Sequence, residues 1–138
     1  MYENWRLRLR RWETLMSDAK HLFMESLHDH SGVLEIEVAD YWQNTATARY
    51  KVTFRRYPAY RNILEEYRLE LWERRGQLSD PTATGWTLII PESPWVQEFA
   101  NEPILEFFQP AIVHYLIATE NDVIEVLSDE EPKVERLD

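Results

Sequence analysis

The tripeptide His28-Asp29-His30 is the first place in the chain where residue type and spacing suggest chemistry. On an extended strand His28 and His30 point to the same side, and imidazole nitrogens are common ligands of divalent metals. A third ligand would have to come from His21 or His114 through folding. A polar turn explains the same residues without a metal, and the chain has no HExxH motif and no cysteine. His28 and His30 are therefore weak metal candidates, and no cofactor is expected.

His114 and Glu125 are polar residues within apolar segments, 111–119 and 123–128. A buried imidazole needs a hydrogen-bonding partner, and a buried carboxylate needs a compensating charge. The pair could line an enclosed pocket of a small-molecule-binding or enzymatic domain. Alternatively, His114 is a core histidine with a satisfied hydrogen bond, and Glu125 faces solvent on an edge strand. The second interpretation is favoured, because neither a GxSxG motif nor a glycine-rich phosphate loop accompanies them.

Aromatic residues are abundant, at 13% of the chain with six tryptophans. Tyr41 and Trp42 follow a predicted strand, and Trp95 opens a short predicted helix between prolines. Aromatic side chains at the ends of elements either cover the core or anchor interfaces, where tryptophan and tyrosine are enriched. We predict Tyr41, Trp42 and Trp95 as candidate interface anchors, with Glu130 and Glu131 steering the approach of a partner.

The 138 residues carry 15 basic and 25 acidic side chains, a formal net charge of -10. Such a charge repels phosphate backbones and anionic lipids and favours encounters with basic partners, although it also serves simple solubility. We therefore expect no nucleic acid and no membrane partner. The start of the chain lacks the apolar run of a signal peptide, which predicts a cytoplasmic location. Residues 1–128 are predicted to form one domain, and residues 129–138 an acidic tail.

The spacing of apolar residues predicts the elements that would position these side chains. Apolar residues three and four positions apart over Trp5–Ala19 predict an N-terminal helix. A similar spacing between Pro58 and Gly76 predicts a central helix. Ser93 and Pro94 are typical of the N-cap and first residue of a helix. The predicted strands are 21–28, 33–39, 47–57, 86–90, 112–119 and 123–128.

These elements predict an α+β fold: a single domain with a mainly antiparallel sheet of about five or six strands, and both long helices packed on one face. The expected function is a non-enzymatic protein-binding domain, of inhibitor, immunity or accessory type, that docks on a basic partner. A ligand-binding or enzymatic domain with a pocket containing His114 is one alternative. A homodimer that associates through an uncovered sheet face or edge is the other.

Overall fold

The computed structural model describes residues 9–68, 85–99, 101–103 and 112–138. Across these ranges the chain is almost entirely β-structure, with one four-residue α-helix and one 3₁₀ turn. The strands are β1 (Arg10–Arg11), β2 (Leu22–His30), β3 (Val33–Trp42), β4 (Thr45–Phe54), β5 (Ala59–Leu64), β6 (Thr87–Ile90), β7 (Val113–Ala118), β8 (Asp122–Ser128) and β9 (Lys133–Arg136). The helix α1 is Pro94–Gln97, and the 3₁₀ turn is Glu65–Tyr67.

The strands form two antiparallel sheets. The five-stranded sheet has the order β1-β6-β7-β8-β5, and the four-stranded sheet has the order β2-β3-β4-β9. Hairpins join neighbouring strands β2-β3, β3-β4 and β7-β8, as expected where short polar turns separate alternating segments. The predicted α+β fold is therefore wrong: a second sheet, and not a pair of long helices, covers the inner face of the first.

The core lies between the two sheets because each strand turns alternate side chains towards it. A second, smaller apolar cluster lies on the opposite face of the five-stranded sheet and includes Leu9, Leu88 and Leu116. All seven residues of β8 are consequently buried. The buried core between the sheets includes Ile36, Val38, Val52 and Phe54 from one sheet and Tyr115, Ile117, Ile124 and Val126 from the other.

The predicted N-terminal helix is absent over its described part. Arg10 and Arg11 pair with β6, and residues 15–18 form a turn. Leu9 belongs to the outer cluster of the five-stranded sheet, whereas Trp12 and Met16 belong to the core between the sheets. The spacing of three and four residues therefore serves two separate apolar clusters, which a single helix face could not reach.

The predicted central helix is also wrong over its described part. Ala59–Leu64 is strand β5, and only the 3₁₀ turn of Glu65–Tyr67 follows. The strand forms because β8 offers an unpaired edge along its whole length, with Arg61 directly opposite Glu125. Backbone pairing and this charge contact override the local helical spacing, as tertiary context commonly does. Residues 69–76 of this prediction lie outside the described residues.

Other predicted elements are confirmed. The β7-β8 hairpin, strand β6 and the alternating strands β3 and β4 lie close to their expected positions. Ser93 caps α1 by accepting a hydrogen bond from the Val96 N–H, and Pro94 is the first helical residue. The segment 129–138, expected as an acidic tail, contains β9, which pairs with β4.

Within the described ranges no helix is long and apolar enough to cross a membrane. A span needs about 20 apolar residues, and α1 has only four. The cytoplasmic location stays a prediction.

Of the two glycines in the described ranges, Gly85 has less room for a side chain than Gly32. Its φ is +94°, and a Cβ built on it would lie 2.6 Å from the backbone oxygen of Ser17. Gly32 has a comparable φ of +76° but nothing within 4 Å of the same position. We expect Gly85→Ala to lower the free energy of unfolding by more than about 1 kcal/mol, and by more than Gly32→Ala, in urea unfolding. Equal losses in the two variants would contradict this close approach of the chain to Ser17.

Candidate functional site

Glu125 lies at the centre of a buried polar network, which consists of Glu125, His114, Arg61, Arg68 and Ser93. Its side chain has no solvent exposure. Arg61 binds it with two hydrogen bonds, from Nε to Oε2 at 3.0 Å and from Nη2 to Oε1 at 3.1 Å. Arg68 Nη2 lies 3.2 Å from both carboxylate oxygens. The interpretation of Glu125 as a solvent-facing residue is therefore wrong, because β8 lies inside the sheet between β7 and β5.

His114 connects Glu125 to Ser93. His114 Nε2 lies 2.9 Å from Glu125 Oε1, and His114 Nδ1 lies 2.6 Å from Ser93 Oγ. An ionised carboxylate can only accept, so the proton of a neutral imidazole resides on Nε2. Nδ1 then accepts a hydrogen bond from the Ser93 hydroxyl, whose oxygen accepts one from the Val96 N–H. Both nitrogens are satisfied, as predicted for a core histidine.

The charges in the network are fixed by burial and by the two guanidinium groups. Burial, reinforced by Arg61 and Arg68, lowers the pKa of His114 below its usual 6.5, although the hydrogen bond to Glu125 acts in the opposite direction. Burial alone would raise the pKa of Glu125, but hydrogen bonds from His114 and Arg61 outweigh it and hold the pKa at about 2. At neutral pH the network thus contains one carboxylate, two guanidinium groups and a neutral imidazole.

Trp95 covers this network. Its ring centroid lies 5.1 Å from that of His114 and 4.3 Å from the Arg61 guanidinium carbon, in cation–π contact. With 9% of its surface exposed, Trp95 lies against the protein interior. Its role as an interface anchor stays a prediction, and this buried position does not favour it. Arg68 Nε is buried and has no hydrogen-bond partner among the described residues.

The structure brings His114 and Glu125 into contact, whereas a pocket that contains them stays a prediction, and it adds three residues that the sequence did not nominate. Ser93 was recognised only as a helix cap, and Arg61 and Arg68 lie in the segment that was predicted as the central helix. Arg61 becomes recognisable once 59–64 is read as a strand, because its side chain then lies on the same sheet face as Glu125. Arg68 and Ser93 reach the network through tertiary folding and have no such local signal.

A surface groove of about 450 Å³ lies between the β1-β2 connection and the β8-β9 connection. Leu15 is 59% exposed beside it. Two carboxylates border it: Glu13, which is bound to Arg11, and Glu131, which has no ion pair among the described residues. We call this the acidic groove; its lining residues are Trp12, Glu13, Thr14, Leu15, Glu131, Pro132 and Val134.

Tyr41 and Trp42 lie at the other end of the four-stranded sheet from Glu131. Trp42 pairs with Thr45, whereas β9, which follows Glu131, begins opposite Thr53. Trp42 is 48% exposed, and the Lys20 ammonium lies 5.2 Å from the centroid of its ring. The Tyr41 hydroxyl donates to Glu25, whose other oxygen binds Arg49.

The two weak metal candidates are exposed at the β2-β3 turn. His30 Nε2 lies 3.2 Å from Glu35 Oε1, and His28 pairs with Glu35 across the two strands. In the part of the chain that the structure describes, no group of three His, Asp or Glu side chains is placed to hold a metal ion. The arrangement is that of a polar turn.

Removal of the charge on Glu125 should destabilise the protein strongly. Glu125→Gln removes the counter-charge of two partly buried guanidinium groups, so the loss should approach the roughly 3–5 kcal/mol that breaking a fully buried pair costs. Glu35→Gln is the matched control, since Glu35 binds Lys51 and His30 at the surface and should change stability little. Urea unfolding measures both. A small loss for Glu125→Gln would show that the network is unimportant for folding.

The network also predicts that stability falls in acid. Below pH 6.5 the unfolded chain protonates His114 while the folded chain keeps it neutral, so stability declines as the pH falls. Glu125, with its pKa moved from 4.5 to about 2, adds a further loss between those two values.

We expect His114→Gln to flatten the decline between pH 6.5 and about 5 and to leave the loss below pH 4.5 in place. Urea unfolding at a series of pH values measures the slopes. An unchanged slope in the variant would rule out a buried neutral His114.

Comparisons with known proteins do not identify a family or a relative of this chain. No protein-family model, no curated protein and no solved structure matches the chain.

Proposed function

We propose that this protein is a protein-binding domain, of inhibitor, immunity or accessory type, that docks on a basic partner through the acidic groove. The observation that carries the proposal is an exposed leucine next to two carboxylates at the edge of a groove. An apolar contact surrounded by charge is the usual composition of a specific interface. The occupant that fits best is a segment with a lysine or arginine beside an apolar side chain.

The floor of the groove is rigid, which favours binding. The Trp12 ring lies 4.8 Å from that of Tyr115, and Tyr115 also contacts Phe54. These aromatic rings belong to the core between the sheets, so the groove requires no ordering when a partner arrives. Leu15 has the opposite character: its side chain is exposed to water, and burial against a partner would contribute roughly 1.5–3 kcal/mol.

Charge supports the choice of a basic partner. The chain carries a net charge of -10, and Glu130 and Glu131 follow directly after Asp129 at this end of the sandwich. Asp129 is bound to Arg56, which also attracts Glu130, whereas Glu131 has no ion pair within the described part of the chain. Complementary charge accelerates encounter and discriminates against acidic proteins.

Tyr41 and Trp42 lie too far from the acidic groove to contact the same segment of a partner. Thr45, opposite Trp42, lies eight positions along β4 from Thr53, where β9 begins after Glu131, so at roughly 3.3 Å per residue the separation along the sheet is about 26 Å. They could contact a large partner as a second patch, and their role stays a prediction. The acidic groove can therefore be tested separately from them.

The experiment is selection of a random peptide library displayed on phage against the purified full chain. We expect enriched peptides to contain lysine or arginine next to a large apolar residue. Synthetic versions should bind less tightly as salt rises, and Glu131→Lys or Leu15→Ser should weaken them about tenfold or more, as measured by fluorescence polarisation. Light scattering in parallel reports the oligomeric state.

Two matched variants control for charge and for aromatic contact. Glu66→Lys makes the same charge change at an exposed residue near the opposite end of β8, and Trp42→Ala removes the exposed aromatic ring. Both should leave peptide affinity nearly unchanged. Peptides that bind Glu131→Lys as well as the wild type, or a dimer that dissociates only in Leu15→Ser, would overturn the proposal.

A further inference from the structure

We propose that Ser93 is a nucleophile activated by His114 and Glu125, and that the site transfers short apolar acyl groups from esters to water. This activity goes beyond the proposed binding function and uses a different face of the protein. It rests on the geometry of three residues and on a groove beside one of them.

The hydrogen bonds of the three residues have the order that nucleophilic catalysis requires. Ser93 Oγ lies 2.6 Å from His114 Nδ1, and His114 Nε2 lies 2.9 Å from Glu125 Oε1. The carboxylate holds the imidazole in the tautomer whose Nδ1 lone pair faces the serine hydroxyl. The roles of the two ring nitrogens are exchanged relative to the usual serine protease arrangement, but either nitrogen can accept the proton.

Ser93, with 4% of its surface exposed, is one of the residues that line a groove of about 330 Å³. Ile90 and Val113 contribute to an apolar wall, and Gln97 supplies an amide N–H₂ that can stabilise a developing oxyanion. Glu92, which also lines the groove, disfavours acyl groups with a negative charge. These features fit a short uncharged acyl chain.

The local backbone presents the serine at the junction between β6 and α1. Glu92, directly before Ser93, has a φ of +53°, a conformation that non-glycine residues rarely adopt. Strained residues of this kind concentrate at functional sites. The turn directs the chain from the strand into the helix and brings Ser93 next to His114, which lies opposite Ile90 in the sheet.

The reaction balances with water as the only co-reactant. Ser93 Oγ attacks the carbonyl carbon while its proton passes to His114 Nδ1. The imidazolium then gives that proton to the leaving alkoxide, which departs as an alcohol and leaves an acyl-serine. Water attacks the acyl-serine by the same route, and the products are a carboxylic acid and free Ser93.

Burial makes His114 a weak base, and the positive charges of Arg61 and Arg68 add to this effect, because all three oppose formation of an imidazolium. Turnover should therefore be slow, and covalent capture is the more sensitive measurement. The probe is a fluorophosphonate, which phosphonylates activated serines. Its adduct would be located by mass spectrometry of peptides from the wild-type chain. We expect one adduct on Ser93, formed about 100-fold more slowly in His114→Gln.

Ser26 is the internal control, because its hydroxyl donates to a carboxylate, Glu37, without an intervening histidine. Ser26 should remain unlabelled in the same sample, and Ser93→Ala should give no adduct. A folded wild-type chain without an adduct on Ser93, or with Ser26 labelled as fast as Ser93, would overturn the proposal. Localisation of the adduct in the wild type decides the question even where a variant fails to fold.

Discussion

A carboxylate without solvent exposure, Glu125, is the constraint on which the five-stranded sheet depends. Transfer of an unpaired carboxylate into a protein interior costs several kcal/mol, so the fold must bring cations and donors to it. Arg61 approaches from β5 on one side, and His114 from β7 on the other. The requirement fixes both the neighbours of β8 and their register, because a slip of one residue would place Arg61 on the wrong face.

The same constraint explains why the two faces of this sheet differ. The inner face is apolar and packs on the four-stranded sheet, whereas the outer face holds Glu125, His114 and a small apolar cluster. Trp95 covers the polar part by stacking on Arg61 and contacting the His114 ring. The short helix α1 is thus positioned by a polar network, to which Ser93 at its N-cap also belongs.

The acidic groove depends on different forces. Trp12 is held by aromatic contacts in the core between the sheets, and Glu131 precedes β9, whose pairing with β4 fixes the β8-β9 connection. The exposed Leu15 and the carboxylates lie next to this packed support, so no additional conformational entropy has to be lost to position them. The binding and acyl-transfer proposals therefore concern separate regions, whose lining residues do not overlap.

Several parts of the fold were accessible from the sequence. Alternation with a period of two identified β3, β4 and the β7-β8 hairpin, because side chains on a half-buried sheet must alternate. The pair Ser93 and Pro94 identified the start of α1, since capping is a local interaction. The possible burial of Glu125 was visible as one charge within an apolar segment, although its orientation was not.

The sequence by itself determined the strongly negative charge, the absence of thiol chemistry and the strands whose pattern is set by nearest neighbours. Only the tertiary structure decided that the residues after Pro58 form a strand, because their partners on the free edge of β8 lie 58 to 68 positions away along the chain. It also decided that Ser93 meets His114 and that Trp12 and Glu131 border one groove. Contacts between distant segments depend on how sheets pair and pack, and no local propensity encodes that choice.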